Sequence, residues 1–192
     1  MLAPLMLVLA SAGSGADADT VGADMATALQ LDSRNTQVEF EIAALWILRR
    51  HGQFTEVEGR IDSDPAAGTA VITVRIRVDS VRMKDPDHVR LLLSTEFFDA
   101  ARHPWIEFRS EPFAIDGKAQ ASLPGHLSLR GVTRRVRFDI DRGHCDLRAG
   151  SACEVIVDGS LKRSRFGMTE YRRTLADKVH LKIAARVAPA IE

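Results

Sequence analysis

From Leu29 onward, apolar and polar side chains alternate with a period of two in one segment after another. Such alternation marks strands with one buried and one wetted face. Val38, Phe40 and Ile42 alternate with Gln37, Glu39 and Glu41, and Ile72, Val74, Ile76 and Val78 alternate with Thr73, Arg75, Arg77 and Asp79. The pattern recurs at Ile106 and Phe108, at Leu127 and Leu129, at Val136, Phe138 and Ile140, at Val155, Val157, Gly159 and Leu161, and at Val179, Leu181, Ile183 and Ala185. With segment 54–61 this predicts roughly eight strands; Ser63-Asp64-Pro65 with Gly68, Asp116-Gly117, Gly131 and Gly150 supply turns between them.

Two segments leave the period. Pro86 to Leu93 has good helix formers behind an Asp-Pro start and predicts a short helix. Ala43 to Arg50, with Leu45, Trp46 and Leu48 apolar, reads equally as a helical turn or a continuing strand. An open sheet of antiparallel strands exposes two edges, so the predicted fold is all-β, an eight-stranded antiparallel β-barrel with one short helix near residues 86–93. A barrel of this size holds packed side chains or one slender ligand. Strands of about nine residues at ~3.3 Å each give a tunnel approaching ~30 Å before tilt.

Charge and composition narrow the function. Lys+Arg and Asp+Glu are both 26, so no positive surplus exists to neutralise nucleic-acid phosphates, and nucleic-acid binding is not expected. No Gly/Pro/Ser-rich linker follows the first thirty residues, which predicts one domain over 29–192 behind a flexible leader at 19–28. Leu2 to Ala10 is an apolar run too short to span a bilayer but long enough for a signal-peptide core. Ala10-Ser11-Ala12 and Ala16-Asp17-Ala18 have the small-x-small form of a cleavage site, so residues 1–18 are expected to be a signal peptide and the protein periplasmic or otherwise exported. No Lys or Arg precedes Arg34, which leaves an upstream start or an uncleaved anchor open. Cys145 and Cys153 flank the turn-like Leu147-Arg148-Ala149-Gly150-Ser151, a spacing that suits a disulfide across a hairpin, with two unrelated thiols as the alternative. His144 beside Cys145 lacks the paired spacings of a zinc site, and no metal is expected.

Candidate catalysis is thin. The histidines stand at 51, 88, 103, 126, 144 and 180, without a His-x-x-x-His pair or a Gly-x-Ser-x-Gly elbow, so no enzyme is expected. Helix capping accounts for Asp85, Asp87 and His88. Two adjacent aromatics in an extended chain cannot both point inward, so one of Phe97 and Phe98 is expected to plug a barrel mouth, unless both pin the helix to the rim. His103-Pro104 suits an extended entry into the next strand, and Gly131 a tight turn. Gly167 suggests a bulge or a close approach of backbone and ligand. Arg134-Arg135-Val136-Arg137 reads as an outward strand face, with contact to anionic lipid head groups as the second reading.

A series of motifs carries a family resemblance. It comprises Leu31-Asp32-Ser33 with Val38-Glu39-Phe40, Gly52-Gln53-Phe54 with Val57 and Gly59, Asp79-Ser80-Val81, then Ser94-Thr95-Glu96-Phe97-Phe98-Asp99 with His103-Pro104 and Ile106-Glu107-Phe108-Arg109-Ser110. Gly125 to Thr133 and Leu161 to Met168 complete it. In that order the motifs resemble the YceI-like polyisoprenoid-binding family of bacterial periplasmic proteins over about residues 29–187. The resemblance implies a lipocalin-like barrel that binds a long isoprenoid chain, such as a quinone or polyprenyl lipid, as carrier or sequestering protein, with no cofactor beyond such a lipid. The alternatives are a barrel enzyme acting on a lipid-like substrate and a filled barrel serving as a surface interaction module. The side chains expected to meet the lipid are Phe40, Ile42, Leu45, Trp46, Phe54, Ile72, Val74, Ile76, Val78, Leu92, Phe97, Phe98, Ile106, Phe108, Leu127, Leu129, Phe138, Val157 and Phe166. Expected partners are the lipid and a membrane surface or membrane redox protein, with the chain a monomer or homodimer. Two positions depart from the family pattern: Asn35-Thr36 replaces its His before Ser or Thr, and Arg165 replaces its Asp. Either difference would alter the preferred head group if its side chain faces the ligand.

Overall fold

The computed structural model describes residues 27–45, 47–143, 145–147 and 151–189. The strands are β1 (Thr27–Leu31), β2 (Gln37–Ala44), β3 (Leu48–Phe54), β4 (Val57–Asp64), β5 (Thr69–Arg77), β6 (Val81–Met83), β7 (Trp105–Ser110), β8 (Phe113–Ala114), β9 (Gln120–Leu129), β10 (Val132–Asp141), β11 (Cys153–Lys162) and β12 (Leu175–Pro189). One α-helix, α1 (Pro86–Leu93), stands between β6 and β7. The predicted signal peptide, most of the leader, Trp46, His144 and Gly150 lie outside the described residues.

Six of these strands are halves of three long ones, interrupted by single 3-10 turns or a kink. β1 and β2 both pair with β12, β4 and β3 lie beside them, and β5 and β6 come next. With the two-residue β8 continuing β7 along β5, there are eight long strands, each antiparallel to its sequence neighbour, and the β1–β12 pairing closes the ring. The chain is therefore a closed antiparallel barrel with meander order. Each interruption has a local cause. The Asp32 carboxylate accepts from Arg34 N at 3.0 Å and Asn35 Nδ2 at 2.7 Å, which folds Ser33–Asn35 into a turn. Thr55 and Ser80 bind one another across the second and third breaks: the Thr55 hydroxyl donates to Ser80 O at 3.1 Å, and Ser80 Oγ donates to Arg77 O at 2.7 Å.

The third interruption opens the wall. β7 pairs with β5 from Thr73↔Arg109 to Arg77↔Trp105, while β6 continues past that point with only β3 beside it. Helix α1 packs against β6 at this gap. Asp85 starts the helix by accepting from Asp87 N at 2.9 Å, with Pro86 in the first turn, where its missing N–H costs nothing. The 43–50 segment resolves as strand, turn and strand rather than a helical turn.

The two barrel ends differ. The end that carries the β4–β5 and β10–β11 connections is packed solid by Leu29, Ile61, Phe113, Ile115, Leu123, Ile140, Leu147 and Val187, all buried. There Cys145 and Cys153 form a disulfide with their Cα atoms 5.3 Å apart, tying the start of β11 to the loop before it. At the other end stand α1, the β2–β3 and β9–β10 turns, and the loop from Arg163 to Thr174. The Arg130-Gly131 turn has φ of 52° and 69°, the left-handed pair that matches the twist of a two-residue hairpin.

Candidate functional site

The inward faces of the strands enclose a narrow cavity of about 150 Å³. Fifteen side chains expected inward line it: Phe40, Ile42, Phe54, Ile72, Val74, Ile76, Leu92, Phe97, Phe98, Ile106, Phe108, Leu127, Leu129, Phe138 and Val157. The structure moves three others away. Leu45 sits on the hairpin turn after β2 with φ 47° and is exposed, because the inward alternation of β2 ends with the strand. Val78 is buried in the 3-10 turn between β5 and β6, and Phe166 is buried in the 3-10 turn after β11; both are core residues that do not reach the cavity. Trp46 is outside the described residues. Period-two alternation also places Leu31, Val38, Ile61, Leu123, Val155, Leu161, Val179, Leu181, Ile183 and Ala185 on the wall, although they were not named as contacts. Arg163, Met168 and Leu175 are lining residues that alternation does not reach, since two lie in the loop between β11 and β12 and Leu175 only begins a strand.

Both Phe97 and Phe98 reach the interior. The segment after α1 is a chain of turns with Asp99 at φ 50°, so the geometry that forbids two inward neighbours in an extended chain does not apply. Phe98 meets Phe54 edge-on at 5.9 Å between centroids, Phe54 lies 5.6 Å from Phe40, and Phe108 meets Phe138 at 5.3 Å. Two rings are held flat against the wall by glycines on the neighbouring strand. Phe40 pairs with Gly52 and Phe138 with Gly159, and a Cβ built on either glycine would collide with the ring opposite. The Phe40 and Phe138 rings thus lie over backbone of the wall, where a side chain on the neighbouring strand would otherwise stand. Ile61, Leu123 and Ala185 are buried, while Leu31, Leu92, Phe98, Val157, Leu161, Leu175, Val179, Leu181 and Ile183 are half-buried. Because the opposite end is packed solid, the cavity faces the α1 end.

Among the described residues Arg163 is the single polar side chain in the wall, and it is 3% exposed. Its Nε donates to Ala176 O at 3.0 Å, Nη1 to Met168 O and Glu170 O at 2.7 Å each, and Nη2 to Leu175 O at 3.1 Å. One guanidinium thereby satisfies two carbonyls of the loop and two at the start of β12. Burial lowers its pKa from the ordinary guanidinium value, partly countered by the charge of Asp177. Asp177 in turn binds the other side of the loop, accepting from Ser164 N and the Ser164 hydroxyl at 2.9 Å each. Burial alone would raise the Asp177 carboxyl, but these bonds and the Arg163 charge hold it below its usual value.

Other singled-out residues stand elsewhere. Asn35 is exposed and bonded to Asp32, and Arg165 is exposed on the outer surface, so neither departure from the family pattern faces the cavity. Gly167 is no bulge; at φ 79° it caps the 3-10 turn. The His103 ring lies against Gly131. Arg134, Arg135 and Arg137 are exposed on β10, and Arg135 forms a two-pronged pair with Glu111 at 2.7 and 2.9 Å. Among the described residues no three His, Cys, Asp or Glu converge as a metal site would require.

Fold and site together define a closed antiparallel barrel with an apolar interior that opens at a helix-covered end, the lipocalin-like class. The chain belongs to the YceI family: the YceI-like domain model matches residues 29–187. It is 28% identical over 184 residues to a UPF0312 protein of Pectobacterium carotovorum subsp. carotovorum, covering 92% of this chain and 90% of the relative. A UPF0312 protein of Pseudomonas syringae pv. tomato is 29% identical over 129 residues, 67% of this chain and 64% of that one. Among solved structures, BcnA of Burkholderia cenocepacia superposes with a TM-score of 0.71 at 22% identity, covering 82% of this chain and 99% of that one. A polyisoprenoid binding domain from Saccharophagus degradans, implicated in plant cell wall breakdown, gives 0.66 at 13% identity, covering 85% and 99%. At those identities the two structures attest the fold alone.

Proposed function

We propose that this protein binds a long isoprenoid-type lipid, the chain of a quinone or a polyprenyl lipid, inside the barrel, as a carrier or sequestering protein of an exported compartment. The observation that carries the reading is the cavity wall, which is apolar throughout and, among the described residues, has Arg163 as its one polar member. Such a wall recognises hydrocarbon by burial, with about 0.8 kcal/mol gained for each methylene-sized group removed from water. The Arg163 guanidinium is engaged by four backbone carbonyls and presents almost no polar surface to the cavity, so the wall recognises hydrocarbon rather than a head group. Family membership and the likeness to a polyisoprenoid binding domain support the same ligand class. Among the described residues no Asp, Glu, His, Ser or Cys lines the cavity, which favours binding without chemistry. The Cys145–Cys153 disulfide favours an oxidising compartment.

Size is the strict condition on this reading. A cavity near 150 Å³ accepts a group about as large as benzene. A long chain therefore enters only as the half-buried side chains on the axis, Leu92, Phe98, Leu175 and Val179, turn aside. The test is organic extraction and mass spectrometry of the purified protein, with a stoichiometric isoprenoid expected. A clean protein that also ignores added quinones and polyprenyl lipids would leave a filled barrel that works through its surface.

A further inference from the structure

The large apolar side chains that stand exposed among the described residues all gather in one place. Leu45 (53% exposed), Ile47 (83%) and Leu48 (41%) form the tip of the β2–β3 hairpin, and Tyr171 (47%) stands on the turn before β12. These two loops are joined, since Leu45 N donates to Thr174 O at 2.7 Å and Ala44 pairs with Leu175. They also border the cavity mouth: Leu175 lines it, and the Tyr171 ring stacks 5.9 Å from Phe97, another lining residue. Four exposed cations flank the apolar tip, Arg49, Arg50, Arg172 and Arg173. Of the nearby carboxylates, Glu41 is engaged by Arg49 and Glu96 accepts from the Tyr171 hydroxyl, which leaves Glu170. The side chains of Arg50 and Arg173 make no hydrogen bond or ion pair among the described residues.

Single exposed apolar residues need no explanation, but a cluster confined to a protruding tip does. A hairpin tip is too narrow for a stable protein interface, which takes about 800 Å² from each partner. A symmetric contact with a second copy would set the four arginines against their own equivalents. An anionic bilayer meets both demands at once, with an apolar layer for the tip and negative head groups for the arginines. We propose that the β2–β3 tip and the 171–174 turn dock the helix end of the barrel onto an anionic lipid surface, with the cavity mouth turned toward the bilayer. The docking deepens the lipid-binding reading and rests on it for its purpose, though not for its measurement.

The test is co-sedimentation of the full chain with phosphatidylcholine vesicles, with and without phosphatidylglycerol, at low and high salt. Binding is expected with phosphatidylglycerol, weakening as salt rises. Ile47→Asp should lower partitioning about tenfold. Arg50→Gln with Arg173→Gln should lower it about fivefold for each charge removed. Both sets of side chains are exposed, so thermal melting should be unchanged. Wild-type protein that ignores phosphatidylglycerol vesicles, or variants that bind as the wild type does, would overturn the proposal. So would concentration-dependent self-association that Ile47→Asp abolishes, because the tip would then be a contact between copies. Extraction of the same preparations separates the two readings: vesicle binding by a protein that carries and accepts no lipid upholds docking and removes the cargo.

Discussion

Arg163 is a buried cation held by carbonyls rather than by a carboxylate, and its worth lies in what it leaves satisfied. Arg163→Leu would orphan the Met168, Glu170, Leu175 and Ala176 carbonyls at once. At about 1 kcal/mol for each orphan, less the gain from removing a buried charge, a loss of about 3 kcal/mol is expected in urea unfolding. Arg163→Lys keeps the charge but has no planar fork to span four acceptors, so it should recover only part of that loss. A leucine variant as stable as the wild type would mean that water reaches those carbonyls. Gly52 makes the opposite kind of test. A methyl there must displace the Phe40 ring from the wall into the lumen, so Gly52→Ala should cost about 1–3 kcal/mol and weaken binding of a fluorescent apolar probe. Adding Phe40→Leu should restore the binding, and a rescue that fails would show that Gly52 serves the strand rather than the cavity. Neither residue announces itself in the alternation pattern. Gly52 occupies an inward position where a pattern search expects a large side chain, and Arg163 lies where the period has ended.

At the scale of elements, the alternating pattern was a reliable guide wherever one face meets the cavity and the other meets water. β5, β7 and β9 follow it residue by residue, and β10 does so from Val136 onward. It failed where hydrogen bonds made by polar side chains, rather than burial, set the path. Segment 54–61 reads as one strand, yet Thr55 and Glu56 break it because they are bound to Ser80 and Arg77 on the neighbouring strand. Alternation could not decide between the two readings of Phe97 and Phe98 for a similar reason, since the positive φ at Asp99 belongs to a turn that no periodicity encodes. The loop between β11 and β12 has a further link to pH. The Asp177 carboxylate, held below its usual pKa by the Ser164 bonds, stabilises the folded state above the unfolded-state pKa near ~3.9 and loses that contribution as pH falls through the lower, folded value. Asp177→Ala should therefore cost about 1 kcal/mol at pH 7, as loss of a helix cap does. The gap to wild type should narrow steadily as pH falls below the unfolded-state value. A gap that persists there would place the effect in packing rather than in the carboxylate.

For the whole molecule, the two barrel ends divide the work: one is sealed and tied, the other frames an opening. Removing the tie with Cys145→Ser and Cys153→Ser should cost about 2–3 kcal/mol by the entropy of so short a loop, seen equally on reduction of the wild type. Because the loss falls at the packed end, it should leave probe binding at the mouth unchanged. The cavity itself makes a stronger prediction, because a ligand that binds only the folded barrel stabilises it by mass action. At a hundredfold excess over Kd the gain is about 2.7 kcal/mol, or about 5–10 °C in Tm for a chain of this size. Protein stripped by organic solvent and refolded should therefore melt lower than protein reloaded with an isoprenoid quinone. A series of quinones with growing tails would read the depth of the site. Each added unit should raise Tm until the tail meets the packed layer at Leu123, Ile140 and Leu147, where no further apolar surface remains to bury, and the gain should then stop. A Tm that rises without a plateau would place the tail outside the barrel, and one that never rises would mean that the axis does not open.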